Sequence, residues 1–359
     1  MNGYYQTNPD RAGSRSIVQS LRNATVVIAG ASSGMGLATA LAFARRGANL
    51  VLAARRPEAL GRAARLCGEA GAARALAVPT DIADPAQVGA LARAAVEAFG
   101  GIDIWVNMAG LGAFGPFEAI PIEVQARLVA VNLVGAMNGA HAALPHMLRR
   151  NRGVIVNMAS IGARIPQPFT AAYTASKFGL AGFTDSLRYE LLARSRVQVC
   201  GVYPSFVDTP ALQHAANYSG RALRPVPPLL DPEEVAERIV RLALRPRRAL
   251  HIGTPHALVP AFWLAPEAAG RLMGRLAARF GLGSGPRAAR TDGALLVPMA
   301  EGAGLRGGWA AAERRWERQI ALGAVVAAAV GVAAFVIGRR GDLGRDTSQP
   351  ARPLRLAGR

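Results

Sequence analysis

Short runs of apolar residues alternate with helical patterns along most of the chain. The apolar runs are rich in Val, Ile and Leu and show no alternation of polarity, which is typical of strands buried on both faces of a parallel sheet. Several helical patterns begin with an acidic residue and a proline, as at Asp84-Pro85 and Asp231-Pro232, which favours a helix start at the proline. The predicted strands cover residues 25–29, 49–54, 75–80, 102–107, 154–158, 197–203 and 249–252.

The regular alternation of strands and helices predicts how the sheet is built. Parallel strands joined through helices need right-handed crossovers, which place helices on both faces of the sheet. The sequence therefore predicts an α/β fold with a doubly wound sheet of seven parallel strands. The predicted helices cover residues 34–46, 57–70, 85–99, 122–150, 171–194 and 231–244.

After Thr254 the pattern changes. Residues 256–280 have a helical pattern interrupted by Pro260 and Pro266, and residues 281–308 are rich in glycine and predict a linker. We therefore divide the chain into four parts. These are an N-terminal tail at 1–22, the α/β domain at 23–255, a helical and glycine-rich extension at 256–308, and a charged C-terminal region at 309–359.

One uninterrupted apolar segment lies in this last part. Residues 320–337 contain no polar side chain and are flanked by arginines on both sides. A helix of this length spans about 27 Å, close to the roughly 30 Å of a bilayer's hydrocarbon core. Gly323, Ala327 and Gly331 have the spacing of small residues in packed membrane helices. We predict a transmembrane anchor here; the alternative is an interfacial helix or one buried in an oligomer.

Composition limits the possible partners. The net charge of +19 is not concentrated in a basic block with interleaved aromatic residues, so nucleic-acid binding is not predicted. Cys67 and Cys200 lie in segments predicted to be buried, and neither a disulfide framework nor metal-ligand spacing is present. The N-terminal segment is polar and resembles no signal peptide. We expect a cytoplasmic catalytic domain, held at the membrane by the C-terminal helix and without a metal.

A glycine-rich loop joins the first predicted strand to the first helix. It reads Gly30-Ala31-Ser32-Ser33-Gly34-Met35-Gly36, and glycines at this place let the backbone approach a phosphate at the helix N-terminus. This loop predicts a dinucleotide site in a Rossmann fold. The second strand is followed by Arg55 and Arg56 instead of the acid that would bind a ribose hydroxyl. Two guanidiniums suit a 2′-phosphate, so the predicted cofactor is NADP(H).

The chain contains 42 basic side chains, of which a single one is a lysine. Lys177 follows Tyr173 by four residues, so both side chains project from one face of a predicted helix. A nearby cation favours the phenolate and lowers the pKa of a tyrosine. The pair therefore predicts a tyrosine that exchanges protons near neutral pH.

The glycine loop, the Tyr-x-x-x-Lys spacing and the seven strands together resemble the classical short-chain dehydrogenase/reductase family over residues 23–255. The family's Asn-Asn-Ala-Gly motif is present as Asn107-Met108-Ala109-Gly110, and its first Asn braces the sheet. Asp81 matches the aspartate that contacts the adenine. Further matches, at positions around the nicotinamide, are Pro204, Val207 and Thr209.

The resemblance also implies four catalytic residues, which match Asn132, Ser160, Tyr173 and Lys177. Tyr173 would exchange a proton with the substrate oxygen, and Ser160 would orient that oxygen. Lys177 would bind the nicotinamide ribose and lower the pKa of Tyr173. Asn132 would hold a water that links Lys177 to solvent. The implied reaction is hydride transfer between NADP(H) and a carbonyl or alcohol.

Two other functions were weighed. A regulatory or scaffold protein that binds a nucleotide without turnover would need neither Tyr173 nor Ser160. A nucleotide-sugar epimerase or dehydratase would have another glycine spacing and a larger substrate domain. The segment 206–230, where the family places its substrate lid, is apolar and predicts an apolar or aromatic ketone or alcohol.

Self-association is also predicted. In the resembled family the long helices, here near 122–150 and 171–194, commonly pair in dimers and tetramers. The second of these helices carries several large apolar residues, which exceed the needs of one sheet face. They are Phe178, Leu180, Phe183 and Leu187.

Overall fold

The computed structural model describes Val18, residues 20–282 and residues 285–309, with the side chains of residues 280–282 left out. These residues belong to one compact unit that ends at Ala310. The strands are β1 (Thr25–Ala29), β2 (Asn49–Ala54), β3 (Arg74–Pro79), β4 (Ile104–Asn107), β5 (Ala113–Phe114), β6 (Val154–Met158), β7 (Gln198–Pro204), β8 (Ala216–Asn217) and β9 (Ala249–Ile252).

Seven of these strands form one parallel sheet in the order β3-β2-β1-β4-β6-β7-β9. The order runs outward from β1 in both directions, which is the arrangement of a doubly wound fold. The order in which strands are added to the sheet therefore reverses between β1 and β4, and in a fold of this kind a crevice opens there at the carboxyl ends of the strands. The two-residue strands β5 and β8 pair separately beside this crevice.

Nine α-helices lie in the described part of the chain. They are α1 (Gly34–Ala44), α2 (Pro57–Glu69), α3 (Pro85–Phe99), α4 (Ile122–Val129), α5 (Gly135–Arg149), α6 (Ala171–Arg194), α7 (Pro232–Leu244), α8 (Val259–Leu264) and α9 (Pro266–Leu276). The helices α3 and α7 begin as their sequences predict, because the carboxylates of Asp84 and Asp231 accept hydrogen bonds from first-turn N–H groups.

The core lies on both faces of the sheet. Along β1, Val26 and Ile28 face a cluster that includes Phe43 of α1. The intervening Val27 faces the opposite cluster, which includes Trp105. All five of these side chains are fully buried. Successive strand residues therefore bury opposite faces, and the predicted α/β fold with helices on both sides is confirmed.

The observed helices differ from the predicted ones mainly at positions where the sequence contained no sign of an interruption or a helix start. The helix expected at 122–150 is interrupted by a π-helical turn at Ala130–Val134, and nothing in its apolar spacing marked that turn. Pro260 lies in the first turn of α8, and Pro266 begins α9. A proline is tolerated in a first turn because its missing N–H has no intrahelical partner there.

Two features of the described residues concern the predicted membrane anchor and the predicted dimer face. By length and composition one described helical stretch could cross a membrane, Ile122–Arg149, and 44% of its most apolar window is buried in the domain. The anchor predicted at 320–337 lies outside the described residues. On α6, Leu180 is fully buried in the core, so it adds nothing to an apolar surface.

Candidate active site

The glycine loop lies at the switch point of the sheet and has no room for side chains. Gly30 has a φ of 97°, and a Cβ there would lie 2.6 Å from the backbone nitrogen of Ala109. A Cβ on Gly36 would overlap the carbonyl oxygen of Gly30. The glycines therefore keep side chains out of the space at the N-terminus of α1. This cradle fits the phosphates of a dinucleotide.

A cavity runs along this edge of the sheet. Its lining includes Gly30 to Gly36 of the loop, the two arginines after β2, Asp81 after β3, and Gly110 after β4. Thr209 closes the cavity beside the loop, since a Cβ on Gly34 would lie 3.2 Å from the Cβ of Thr209. Elements distant in sequence thus line one elongated cavity, as a dinucleotide site requires.

The two arginines after β2 have partners that the sequence did not predict. Arg55 donates hydrogen bonds to the carbonyl oxygens of Ala294 and Leu295. Arg56 donates to the carbonyl oxygens of three consecutive residues that begin with Met299. Among the described residues neither guanidinium forms an ion pair. Burial lowers the pKa of Arg55, with Asp81 acting in the opposite direction.

Asp81 lines the cavity, and its carboxylate is hydrogen-bonded to a backbone N–H group and to an arginine side chain. One carboxylate oxygen accepts the N–H of Ala83 at 3.0 Å. The other accepts a hydrogen bond from the guanidinium of Arg127, which also donates to the carbonyl of Leu295 at 3.3 Å. Arg127 comes from α4, and no motif in the sequence identified it as part of the site.

Asn107 connects three elements beneath the cavity. Its amide nitrogen donates to Asn157 Oδ1 at 2.8 Å and to the carbonyl of Ala136 at 3.1 Å. Its Oδ1 accepts the indole N–H of Trp105 at 2.8 Å. All of these polar atoms are buried, so each bond avoids the cost of an unpaired buried group. The side chain ties β4 to β6 and α5, as the resemblance implied.

Ser160 and Tyr173 lie together, and Lys177, one turn after Tyr173 on α6, is next to the cavity-lining Gly110. Ser160 follows β6 and accepts the N–H of Gly162 at 3.0 Å. Its hydroxyl is hydrogen-bonded to the phenol of Tyr173, which projects from the first turn of α6. A Cβ on Gly162 would lie 3.2 Å from the Tyr173 ring. The absence of a side chain at 162 lets the two hydroxyls meet.

Lys177 lies one turn after Tyr173 on the same face of α6. Its ammonium is 5.7 Å from the centre of the Tyr173 ring and donates to the carbonyl of Met158 at 2.9 Å. Burial lowers the pKa of Lys177 to about 8. Burial also raises the pKa of Tyr173, against a smaller lowering by the Ser160 hydrogen bond. The direction expected for Tyr173 was therefore the wrong one, because loss of solvent outweighs the nearby groups.

Asn132 lies in the π-helical turn between α4 and α5. Its Oδ1 accepts the N–H of Leu111 at 2.8 Å, and its amide donates to the carbonyl of Leu111 at 2.9 Å. A Cβ on Gly110 would be 3.3 Å from Lys177 Nζ and 3.4 Å from Asn132 Oδ1. Asn132, Gly110 and Lys177 are therefore neighbours, and Gly110 links them to the cavity.

The segment after β7 reaches the cavity lining at Thr209, beside Gly34 of the glycine loop. Pro204 is the last residue of β7, and Val207 forms a bridge with Leu230. Thr209 donates its N–H to the carbonyl of Val207 at 2.8 Å. Of the residues that the sequence placed in the site, the cavity lining contains those of the glycine loop, Arg55, Arg56, Asp81, Ala109, Gly110 and Thr209. Lys177 and Asn132 lie next to Gly110, whereas Pro204 and Val207 are not part of the lining. The structure adds Arg127 and the carbonyls of residues 294–301, for which the sequence contained no signal. Among the described residues no group of three or more potential metal ligands is present.

Comparison with known proteins assigns the family. The short chain dehydrogenase family matches residues 24–218. The chain is 35% identical over 259 residues to the 3beta-hydroxysteroid dehydrogenase 1 of Eggerthella lenta, covering 71% of this chain and 91% of that protein. The protein therefore belongs to the short-chain dehydrogenase family of oxidoreductases.

Solved structures give the same result for the fold and the type of cofactor. A short-chain dehydrogenase/reductase from Burkholderia phymatum in complex with NAD aligns with a TM-score of 0.61 and 28% identity, covering 70% of this chain and 96% of the other. An alcohol dehydrogenase from Thermococcus sibiricus complexed with 5-hydroxy-NADP aligns with a TM-score of 0.56 and 27% identity, covering 64% and 95%. Folds of this family bind a nicotinamide cofactor, with both NAD and an NADP derivative represented.

Proposed function

We propose that the protein is an NADP(H)-dependent oxidoreductase that interconverts an apolar ketone and its alcohol, with Tyr173 as the general acid and base. The observation that carries this proposal is the grouping of Ser160, Tyr173, Lys177 and Asn132, of which Lys177 and Asn132 are next to the cavity-lining Gly110. A protein that only bound a nucleotide would have no use for a buried phenol, hydroxyl and ammonium in this arrangement.

The proton chemistry follows from burial. When bound, the nicotinamide supplies or accepts the hydride. A raised pKa keeps Tyr173 protonated at neutral pH, so its phenol can donate a proton to a carbonyl oxygen that is gaining negative charge. The Ser160 hydroxyl orients the same oxygen and stabilises its charge. In the direction of alcohol oxidation the same groups act in reverse.

Lys177 and Asn132 act on the proton donor and its surroundings. With a pKa of about 8, the Lys177 ammonium is charged at neutral pH. Its charge stabilises the phenolate that Tyr173 forms after donating its proton. Asn132 positions the backbone at Leu111 beside Lys177 and holds the water that returns a proton to the site.

The preference for NADP(H) rests on charge at the end of β2. Arg55 and Arg56 stand there without a carboxylate partner among the described residues, and Asp81 is already paired with Arg127. Backbone carbonyls orient the two guanidiniums but do not neutralise them. Arginine has five N–H donors, so donors remain for the dianionic 2′-phosphate.

The proposal of an apolar substrate rests on the side chains that surround Tyr173 and Ser160. The phenol packs in a cluster with Leu111, Ala172 and Tyr218. Ile161, next to Ser160, packs against Phe262 of α8. The relative from Eggerthella lenta is a hydroxysteroid dehydrogenase by name, which agrees with a large apolar alcohol or ketone. We favour such a substrate over a sugar.

A direct test combines binding and turnover. Titration with NADPH and NADH should give tighter binding of NADPH, and NADPH should be consumed with at least one ketone in a panel that includes cyclic and aromatic members. Equal affinity for the two dinucleotides would contradict the proposed preference for NADP(H). Tight NADPH binding without turnover of any carbonyl would favour the nucleotide-binding scaffold instead.

Membrane attachment and self-association remain proposals. For the segment 320–337, carbonate extraction should leave the full chain in the membrane pellet, and the catalytic domain should face the cytoplasm. For a homodimer or homotetramer, the long helices α5 and α6 present exposed Met137, Tyr189 and Leu192. Light scattering on detergent-solubilised protein tests this second proposal, and a monomer at micromolar concentration would refute it.

A further inference from the structure

Residues 291–309, named here the C-terminal strap, run along the dinucleotide cavity. The strap starts by pairing with the short strand β8, where Thr291 and Asn217 exchange backbone hydrogen bonds of 2.8 and 3.0 Å. The N–H of Ala294 then donates to the carbonyl of His214 at 2.8 Å. Ala294, Pro298 and Met299 line the cavity opposite the glycine loop.

At the Arg55 end the strap contacts the residues proposed to hold the 2′-phosphate. The carbonyls of Ala294 and Leu295 accept from Arg55, and those of residues 299–301 accept from Arg56. Because the acceptors are backbone carbonyls, any residue type could supply them. The strap therefore orients both guanidiniums without a recognisable sequence motif.

In the middle of the cavity the strap contacts the glycine loop. The carbonyl of Gly304 accepts the N–H of Gly34 at 3.0 Å, the first N–H of α1. Two residues later, Arg306 forms ion pairs with Asp231 at 2.6 Å and Glu233 at 2.7 Å. These pairs are exposed, so their contribution to stability is small.

At the nicotinamide end the strap contacts the segment after β7. The N–H groups of Gly307 and Trp309 donate to a carboxylate oxygen of Asp208 at 3.2 and 3.0 Å. The indole N–H of Trp309 donates to the carbonyl of Thr209 at 3.0 Å. The strap thus contacts the cavity lining at Arg55, at Arg56, at Gly34 and at Thr209.

We propose that the C-terminal strap is the outer wall of the cofactor site, and that a bound dinucleotide leaves only when the strap opens. The proposal rests on the nicotinamide site of the proposed function. Its physical basis is that residues of the Rossmann domain and of the strap line the same cavity. Leu295 is fully buried and anchors the start of the strap in the core. From Met299 onward the strap is held mainly by hydrogen bonds and exposed ion pairs, with Leu305 half-buried against the core, so this part can open locally while the sheet stays folded.

Two glycines let the strap lie against His214. Gly293 and Gly302 have φ values of 56° and 67°. A Cβ on Gly302 would lie 2.5 Å from His214 Nε2, and a Cβ on Gly293 would overlap backbone atoms of residues 214–215. An alanine at either position is strained by its backbone as well as by the contact. Gly304 has neither restriction, because its added Cβ would meet only the Arg306 carbonyl at 3.6 Å.

This difference supplies a matched pair of variants, Gly302→Ala and Gly304→Ala. The measurement is the dissociation rate of NADPH and of NADH from the full-length protein, followed by nicotinamide fluorescence after a chase with excess unlabelled competitor. Gly302→Ala should release both dinucleotides at least about tenfold faster than the wild type, since strain of this kind shifts equilibria by a factor of ten or more. Gly304→Ala keeps the backbone carbonyl to which Gly34 donates and should accelerate release by a much smaller factor than Gly302→Ala.

Equal dissociation rates in the wild type and Gly302→Ala would overturn the proposal. So would tighter equilibrium binding by Gly302→Ala, because the strap would then compete with the cofactor instead of enclosing it. Should Gly302→Ala fail to fold, Arg306→Ser removes two exposed ion pairs and should accelerate release in the same direction by a smaller factor.

The outcome is separable from that of the proposed function. The strap is judged on the release of either dinucleotide, whereas the proposed function is judged on NADPH preference and turnover. Faster release from Gly302→Ala together with equal affinity for NADPH and NADH contradicts only the NADP(H) preference. A clear NADPH preference with unchanged release rates contradicts only the strap. A wild-type protein that binds neither dinucleotide contradicts both.

Discussion

The two ends of the cofactor cavity are built in different ways. At the catalytic end the important atoms belong to side chains, and two of them, from Tyr173 and Lys177, lie one turn apart on α6. At the opposite end two arginine side chains meet the backbone carbonyls of a segment about 240 residues later in the chain. Side-chain chemistry leaves a motif in the sequence, whereas a backbone carbonyl leaves none. The following four experiments probe this difference, from the largest expected effect to the smallest.

The largest effect is expected at the proton donor. Tyr173→Phe keeps the ring and removes the proton, so turnover should fall by about 10²- to 10⁴-fold, the usual contribution of a general acid or base. Binding of NADPH should remain close to that of the wild type. Tyr189→Phe, an exposed tyrosine on the same helix, is the control and should leave turnover unchanged. Steady-state kinetics and a fluorescence titration measure the two quantities, and near-normal turnover in Tyr173→Phe would remove Tyr173 from the mechanism.

Lys177 should set an upper pH limit for reduction. Its pKa is lowered to about 8 by burial, so the ammonium loses its charge as pH rises through that value. Above it, kcat/KM for ketone reduction should fall on the order of tenfold per pH unit. In Lys177→Arg the fall near pH 8 should disappear while the overall rate drops, since a planar guanidinium does not fit a point-charge site. A flat pH profile for the wild type up to pH 9.5 would contradict this role.

The lowered pKa of Lys177 affects folding stability and activity in opposite directions as the pH rises. In the unfolded chain the lysine has its ordinary pKa of 10.5, against about 8 in the folded protein. Below pH 8 the buried cation therefore makes its full destabilising contribution to the free energy of folding. The destabilisation is relieved as pH rises from 8 to 10.5. Activity and the lysine contribution to stability should thus change in opposite directions over one pH range.

At the opposite end of the cavity the expected effect is smaller and selective. Arg55→Ala should weaken NADPH binding by about 1–3 kcal/mol, the range for a lost charge-assisted contact, and leave NADH binding nearly unchanged. Arg65→Ala, an exposed arginine on α2, is the matched control for the loss of one positive charge. Isothermal titration with both dinucleotides measures the difference. Equal losses for NADPH and NADH would show that Arg55 only anchors the strap.

The smallest effect is expected at an anchor of the strap. The hydroxyl of Tyr218 donates to the carboxylate of Asp292, and Tyr218→Phe removes that bond at a cost of about 0.5–1.5 kcal/mol. The strap should open more often, while the melting temperature of the domain stays the same because the sheet is not involved. Limited trypsin digestion at Arg306 should be a few-fold faster in the variant. A lowered melting temperature with unchanged digestion would show that the strap is a fixed part of the core.

The sequence by itself determined the fold class, the seven strands of the main sheet and the glycine cradle, and it predicted the residues of the proposed catalytic group. These features depend on local patterns: apolar runs for buried strands, glycine where a Cβ would overlap backbone, and a four-residue spacing on one helix. The resemblance to the short-chain dehydrogenase family added Asn132 and Ser160 by position, and the structure brings both of them to Tyr173 and Lys177.

Only the tertiary structure decided the direction of the Tyr173 pKa, the partners of Arg55 and Arg56, and the position of residues 285–309. The pKa depends on how much solvent the fold removes, which no spacing between residues reveals. A glycine-rich segment predicts a linker because its composition favours no regular element. Its glycines at 293 and 302 instead let backbone lie against His214. Such contacts use main-chain atoms common to all residues, so they become visible only once the chain is folded.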